Sequence, residues 1–375
     1  MRGRVLRMSN WVAIAIALAL AFVISAVSGK WIIPWLHKLK YGQTILDIGP
    51  SWHKKKQGTP TMGGIMFIIA SIVSIIITIV IFTLTKGDIS DGINNYGTNS
   101  KVLVYAGIFL AFGQGLVGFA DDYISVVKKK NEGLTPMQKT LGLVIIGFGY
   151  LLALYLSKNT WFYLPFASGE HMVVELSGSI GGGLLFWLGG IFLVYGFANA
   201  VNLTDGIDGL CGSVTTAVSI GMLVISVLHK FAGVSIFAAA IAGACAGYLI
   251  WNHYPAKVFM GDTGSLFLGG AVVALAFALH MPYIILIMGI VYVCETGSVM
   301  LQVSYYKLTK KIYKDKDENG NIVGRRIFKM TPIHHHFELS GWKENKIVAV
   351  FSLVTCIAAA IGIAIAYFGI FSRLK

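Results

Sequence analysis

Four short stretches of this chain hold most of the residues that could do chemistry. They are Asp121-Asp122-Tyr123, the run NAVNLTDGIDGL from Asn199 to Leu210, FMGDTGS from Phe259 to Ser265, and His334-His335-His336. Each stands at the end of a long apolar segment. A carboxylate beside hydrocarbon is expensive and is kept where it has a partner or a task. Adjacent aspartates at a helix C-terminus oppose the helix dipole and need a cation, a lysine or water. Their hard oxygens suit Mg2+. For Asp121 and Asp122 alone, a solvated acidic helix end beside Lys128-Lys129-Lys130 is an equally simple reading.

The other three stretches are more specific. Asn199, Asn202, Thr204, Asp205 and Asp208 are interleaved with Gly206 and Gly209, which permit tight backbone. Helix capping accounts for one or two of these residues, not all five. Asp262 adds a third acidic element and is a candidate metal ligand. Thr263 and Ser265, with Gly261 and Gly264, suit phosphate or a cap at a helix N-terminus. Phe259 could stack on a base, although a phenylalanine at a membrane interface is ordinary. Three consecutive histidines on one helix cannot all face one ion, and no cysteine lies near them. Hydrogen bonding to phosphate, or proton transfer, fits them better. Lys56, just before TPTMGG at 59–64, and Lys139 add positive charge. Glu295, inside an apolar segment, requires a polar partner. No GxxxxGK[ST] or GxSxG pattern occurs, and no Rossmann fingerprint stands between a strand and a helix, so ATP-driven work and hydride transfer have no support. Phosphoryl chemistry fits what remains.

The elements that must position these residues are membrane helices. Of the 375 residues 56% are hydrophobic and 13% charged, with a mean hydropathy of +0.73; a soluble globule carries about 25% charged residues. With roughly 20 residues per crossing, ten helices are expected near 11–33, 62–84, 102–120, 137–156, 182–200, 213–228, 234–250, 265–279, 282–303 and 347–371. The predicted fold is therefore an all-α polytopic membrane domain covering 1–375. The eighth and ninth segments are divided at Met281-Pro282. Arg2, Arg4 and Arg7 before the first segment resemble a signal peptide, but the apolar run is long, and a retained helix is expected. Asn319-Gly320 within 313–328 predicts a small β-hairpin, with a disordered charged loop as the alternative. The four cysteines form no CxxC pair and are expected to be small buried hydrophobes.

Loops that follow odd-numbered segments carry 20 of the 30 lysines and arginines; the opposite loops carry four. The positive-inside rule places the odd loops, and with them all four motifs, in the cytoplasm. The net charge of +13 is mostly this surface, which suits anionic lipid head groups or an anionic substrate. There is no soluble block to hold nucleic acid.

In order along the chain stand TPTMGG at 59–64, GFADDY at 118–123, NAVNLTDGIDGL at 199–210, FMGDTGS at 259–265 and PIHHHFE at 332–338. In these motifs the chain resembles the phospho-N-acetylmuramoyl-pentapeptide transferase family, a branch of the polyprenyl-phosphate N-acetylhexosamine-1-phosphate transferase superfamily. The aspartate motifs are shared across the superfamily. The triple histidine and TPTMGG point to the muramoyl-pentapeptide branch. The resemblance implies transfer of phospho-N-acetylmuramoyl-pentapeptide from its UDP conjugate to undecaprenyl phosphate. The products are lipid I and UMP, and the reaction needs Mg2+ at the cytoplasmic face of a bacterial inner membrane. It also implies a homodimer and a site targeted by nucleoside antibiotics.

On that basis Asp121 is expected to deprotonate or orient the lipid phosphate. Asp262, with Asp122, would hold Mg2+. Asp205, Asn199 and Asn202 would complete a polar wall. His334, His335 and His336 would face phosphate or sugar, and Lys56 and Lys139 the lipid phosphate or diphosphate. Gly206, Asp208, Asn252 and Phe259 would form the uridine pocket. A two-step route through a covalent aspartate uses the same residues. Three rival readings differ in what they require. A secondary transporter would place its acids near the bilayer midplane, not at one boundary. A sister transferase for UDP-N-acetylglucosamine leaves the triple histidine unexplained. A non-catalytic lipid scaffold leaves the aspartates without a role.

Overall fold

A computed structural model of the chain describes residues 8–39, 56, 58–89, 100–127, 133–164, 173–316 and 320–371. Arg2, Arg4, Arg7, Lys128-Lys129-Lys130 and Asn319 lie outside the described residues. The chain is a helical bundle. Its helices are α1 (Asn10–Lys38), α2 (Gly64–Leu84), α3 (Ser100–Val127), α4 (Pro136–Leu156), α5 (Ile180–Leu184), α6 (Gly190–Thr204), α7 (Leu210–Leu228), α8 (Ala232–Asn252), α9 (Gly261–Ala278), α10 (Ile284–Met288), α11 (Ile290–Tyr313), α12 (Ile333–Glu338) and α13 (Glu344–Phe371). A π-helical turn, Leu185–Gly189, joins α5 to α6 into one continuous rod.

Among the described residues nine spans are long and apolar enough to cross a membrane: α1 to α4, the α5–α6 rod, α7, α8, α9 and α13. Each matches an expected segment to within a few residues at most ends. The expected span at 282–303 is the exception. It is broken at Gly289 into the five-residue α10 and the longer α11, which runs on to Tyr313. With Glu295, Lys307, Lys310 and Lys311 along it, α11 is not among the spans that length and composition alone pick out. The third helix also runs past its expected end at 120, so Asp121 and Asp122 lie inside its last two turns.

Packing is graded from the inside outward. From Thr263 to Ala278 every residue of α9 is buried, with α3 and α6 along its sides. α8 is almost as enclosed, against α1 and α7. Small residues make this possible. A Cβ on Gly243 of α8 would lie 2.2 Å from the Leu18 carbonyl oxygen of α1, so the two backbones touch, as small-residue seams between membrane helices allow. The outer helices do the reverse and turn large apolar side chains outward; Phe192 on α6 is 69% exposed. A surface built this way is matched to lipid. Cys211 and Cys245 are buried as expected, whereas Cys294 and Cys356 sit on outward faces of α11 and α13.

Among the described residues, two small antiparallel pairs accompany the helices. Asp315–Lys316 pairs with Ile322–Val323, the hairpin that Asn319-Gly320 predicts. The other, Trp161–Tyr163 with Val173–Glu175, has no counterpart in the sequence reading. It is fastened to the chain just beyond α9: the Tyr163 N–H donates to the His280 carbonyl at 2.9 Å, and the Trp161 and His280 rings stack at 3.5 Å. Burial pushes the His280 imidazole down to about 3, so the stacked ring is neutral.

Candidate active site

The N-terminus of α9 is the point on which the site is built. The backbone before it pairs with the segment before α2: Phe259 N–H donates to Pro60 O and Gly63 N–H to Phe259 O, both at 2.8 Å, and Gly64 N–H to Met260 O at 3.0 Å. TPTMGG thus holds FMGDTGS in place through main-chain bonds and side chains small enough for contact. Gly261 opens the helix at φ +68°, and a Cβ there would come within 2.5 Å of Asp122 Oδ2.

Asp122 fills the space this leaves. Its Oδ2 accepts from Thr263 N–H at 2.9 Å and from Thr263 Oγ1 at 2.6 Å, and its Oδ1 from Asp262 N–H at 3.2 Å. No residue of its own segment caps α9; a carboxylate from α3 does so instead. The charge that opposes the dipole of its own helix is thereby balanced at the positive end of another.

Asp262 projects from that helix start. Its Oδ2 is ion-paired to Lys139 of α4, and its Oδ1 accepts from Asn202 Nδ2 of α6 at 2.7 Å. Asn202 also donates to Ser265 Oγ at 2.8 Å. Asp121 Oδ1 accepts the Leu134 N–H at 3.1 Å. One oxygen from each of Asp121, Asp122 and Asp262 lies within 4.8 Å of the others. A hard divalent cation fits this set, because each of the three carboxylates keeps at least one lone pair beyond its present bonds. Beside the triad opens a cleft of about 600 Å³ between α3, α4 and α6, with Asp121, Lys139, Thr140, Tyr195 and Asn199 in its wall. Asn199 turns its amide back to Tyr195 O at 2.8 Å.

Asp205 caps the C-terminus of α6 beside this centre. Burial lifts its carboxyl well above the usual carboxylate range, and the charges of Asp262, Asp122 and Asp208 add to the effect.

A second cluster lies on the other side of the same turn. Lys56 Nζ meets Asp208 Oδ1 at 2.8 Å and Glu344 Oε2 at 2.6 Å, with side-chain exposures of 15%, 2% and 8%. Burial opposes the ammonium charge, but the bonds and charges of Asp208 and Glu344 outweigh it and hold the group above its ordinary value. Asp208 Oδ2 accepts the Ala256 N–H at 2.9 Å, and Asn252 Oδ1 accepts the Gly209 N–H at 3.1 Å. Lys56 therefore belongs with Asp208 and Asn252; its ion-pair partners are not those of Lys139.

The three histidines diverge, as one helix requires. His334 turns inward, with Nδ1 3.0 Å from Glu295 Oε2 and Nε2 against Gly206, where a Cβ would lie 2.2 Å away. His335 Nδ1 meets Glu338 Oε2 at 2.6 Å. His336 Nδ1 accepts the Lys329 N–H at 3.1 Å on the exposed side. Phe259 is partly exposed beside the second cluster, its neighbour Val258 accepting from Asn252 Nδ2 at 2.9 Å.

All four motifs thus meet at one end of the bundle. The sequence reading did not find Thr263 as the partner of Asp122, nor Glu344 as the second partner of Lys56. Thr263 carried only a general cap signal. Glu344 stands 288 residues from Lys56, and no local pattern links them.

A bundle of spanning helices with carboxylates, amides and a lysine gathered at one end defines a class, the multi-pass membrane enzyme. The sequence model for Glycosyl transferase family 4 matches residues 101–280, and that for phospho-N-acetylmuramoyl-pentapeptide-transferase signature 1 matches 56–68. The chain is 44% identical over 352 residues to the phospho-N-acetylmuramoyl-pentapeptide-transferase of Carboxydothermus hydrogenoformans, covering 92% of this chain and 96% of that protein. It is 42% identical to the protein so named from Clostridium perfringens strain 13, over 94% and 98% of the two chains. The corresponding protein of Listeria welshimeri is 41% identical over 93% and 97%. The chain belongs to the phospho-N-acetylmuramoyl-pentapeptide-transferase family.

Proposed function

We propose that the chain transfers phospho-N-acetylmuramoyl-pentapeptide from its UDP conjugate to undecaprenyl phosphate, releasing UMP and leaving lipid I, at the cytoplasmic face of a bacterial inner membrane. The observation that carries this reading is the carboxylate triad beside Lys139 at the mouth of the cleft between α3, α4 and α6. The excess of lysine and arginine in the loops on the motif side supports the orientation. The homodimer implied by the resemblance is part of the same proposal.

In this reading Asp121 faces the cleft and orients, or deprotonates, the acceptor phosphate. An acceptor oxygen attacks the β-phosphorus, the bond from that phosphorus to the bridging oxygen breaks, and UMP leaves with the electron pair. Asp262 and Asp122 are the residues that would hold Mg2+. Bound there, the ion supplies charge neutralisation of the pyrophosphate and of the departing UMP. Lys139 holds Asp262 and brings positive charge to the same point. Asn202 fixes the other Asp262 oxygen, and Asn199 and Asp205 complete the wall. His334, His335 and His336 stand on the sugar and phosphate side. Gly206, Asp208, Asn252 and Phe259 form the nucleoside side, and Lys56 reaches a diphosphate only by leaving Asp208 and Glu344.

The test is UMP release by the purified protein in detergent, given UDP-N-acetylmuramoyl-pentapeptide and undecaprenyl phosphate, with and without Mg2+. Release that needs all three is expected. Release with UDP-N-acetylglucosamine in place of the muramoyl substrate would move the chain to a sister specificity. Silence with both sugars from a folded sample would refute the reading.

A further inference from the structure

Glu295 has no place in the chemistry described so far, yet it is one of the most completely buried charged residues among those described. Its Oε2 receives two groups of one residue, His334 Nδ1 at 3.0 Å and His334 N–H at 3.4 Å. Its Oε1 has no partner among the described residues, and neither does His334 Nε2, although both atoms are buried. Buried polar atoms are nearly always paired, so two orphans on one dyad need an explanation.

The bonding pattern supplies one. An oxygen that already accepts the His334 amide acts as an acceptor toward the ring as well, so Nδ1 is the nitrogen that bears the proton. Which imidazole nitrogen is protonated follows from the hydrogen bond the other one makes. Nε2 is then left with a free lone pair. It lies against Gly206, in the turn between Asp205 and Asp208, where the ring occupies the space that a side chain would fill. His335, whose ring centroid is 4.1 Å from that of His334, is turned away to Glu338 and does not compete.

We propose that Glu295 is a positioning residue. It fixes His334 as the Nδ1-protonated tautomer, so that Nε2 accepts a hydrogen bond from an O–H or N–H group of the nucleotide-sugar substrate at the Gly206 turn. The inference rests on the transferase reading for the identity of that substrate. The tautomer is independent of it.

The experiment uses the full chain in detergent, labelled with 15N in its histidines, with His334→Asn to assign the His334 signal. The wild type is expected to show His334 protonated at Nδ1 and bare at Nε2. Glu295→Gln, of nearly the same shape, is expected to lose this single tautomer and to lower kcat/KM for UDP-N-acetylmuramoyl-pentapeptide by about 10- to 100-fold, the range for an outer partner that orients a working histidine. A wild-type His334 carrying its proton on Nε2 overturns the proposal, and does so even if the variant fails to fold. So does a Glu295→Gln protein with the tautomer and kcat/KM of the wild type. A wild type without turnover sinks the transferase reading alone, because the tautomer can still be read.

Discussion

Replacing Lys56 by methionine removes one ammonium and strands two carboxylates. Asp208 and Glu344 have side chains 2% and 8% exposed, and both lean on the same Nζ at 2.8 and 2.6 Å. At an effective dielectric of 20, a contact near 2.8 Å carries about 6 kcal/mol of attraction. Desolvation cancels much of it, and breaking a buried pair from one side costs about 3–5 kcal/mol. The loss is local, because these groups anchor the turn after α6: the Asp208 N–H reaches Glu344 Oε2 at 3.3 Å, and the Gly209 N–H reaches Asn252. A loss of about 3 kcal/mol speeds amide exchange roughly 100-fold where local opening sets protection. Hydrogen exchange at Asp208 and Gly209 in Lys56→Met is the assay, and Asp208→Asn with Glu344→Gln on the same background should recover most of the protection. The pH sign is fixed as well. The ammonium is held above its ordinary 10.5, so its contribution is complete below that value and lost only as pH rises through the elevated one. Exchange within threefold of the wild type in Lys56→Met, with no recovery in the triple variant, would refute the reasoning.

Three other perturbations separate the parts of the site. Asp205 has its carboxyl raised by burial, so the folded state takes up its proton more readily than the unfolded state, and stability falls as pH climbs from the ordinary 3.8 through the raised value. Asp205→Asn should therefore raise the apparent Tm of the metal-free protein at neutral pH while lowering turnover; an unchanged or lower Tm contradicts the shift. Asp122→Ala removes the cap of α9 and should cost about 1–2 kcal/mol, whereas Asp122→Asn, which can still accept one N–H, should lose less; thermal unfolding in one fixed detergent ranks the two. Gly206→Ala would set a Cβ 2.2 Å from His334 Nε2, so turnover should drop at least about tenfold with the helical circular dichroism unchanged, and a fully active Gly206→Ala would show that the His334 ring is free to move.

Apolar length alone located nearly every spanning helix, because each must match one hydrocarbon thickness whatever its neighbours. It failed at 282–303. There it gave no sign of the break at Gly289, although the polar partner that Glu295 requires is present as His334. The membership of the site was legible too, since acids and amides at helix ends stand out against hydrocarbon. Their pairing was not. Asp121 and Asp122 are neighbours in sequence and read as a pair, yet one faces the cleft while the other caps a helix that begins 139 positions later at Gly261. The helical periodicity that turns adjacent residues to different faces decides this, together with a glycine-lined contact that brings α9 to α3. The hairpin at 161–175 was missed because its strands are three residues long, and its fastening to His280 is a tertiary contact.

The burial of α9 bears on how the chain is made. Of the nine spans it is the least apolar, and it carries Asp262 in its first turn. A segment of that composition partitions weakly into lipid on its own. The helices that enclose it, α3 and α6, are both synthesised before it. The last requirement for membrane insertion at this step is then a prepared proteinaceous slot, and the seam of small side chains along α9 suits entry into one. Assembly in the order of synthesis would deliver Asp262 to Asp122 and Lys139 only after both were in place, so the carboxylate that the centre most depends on need never meet bare lipid.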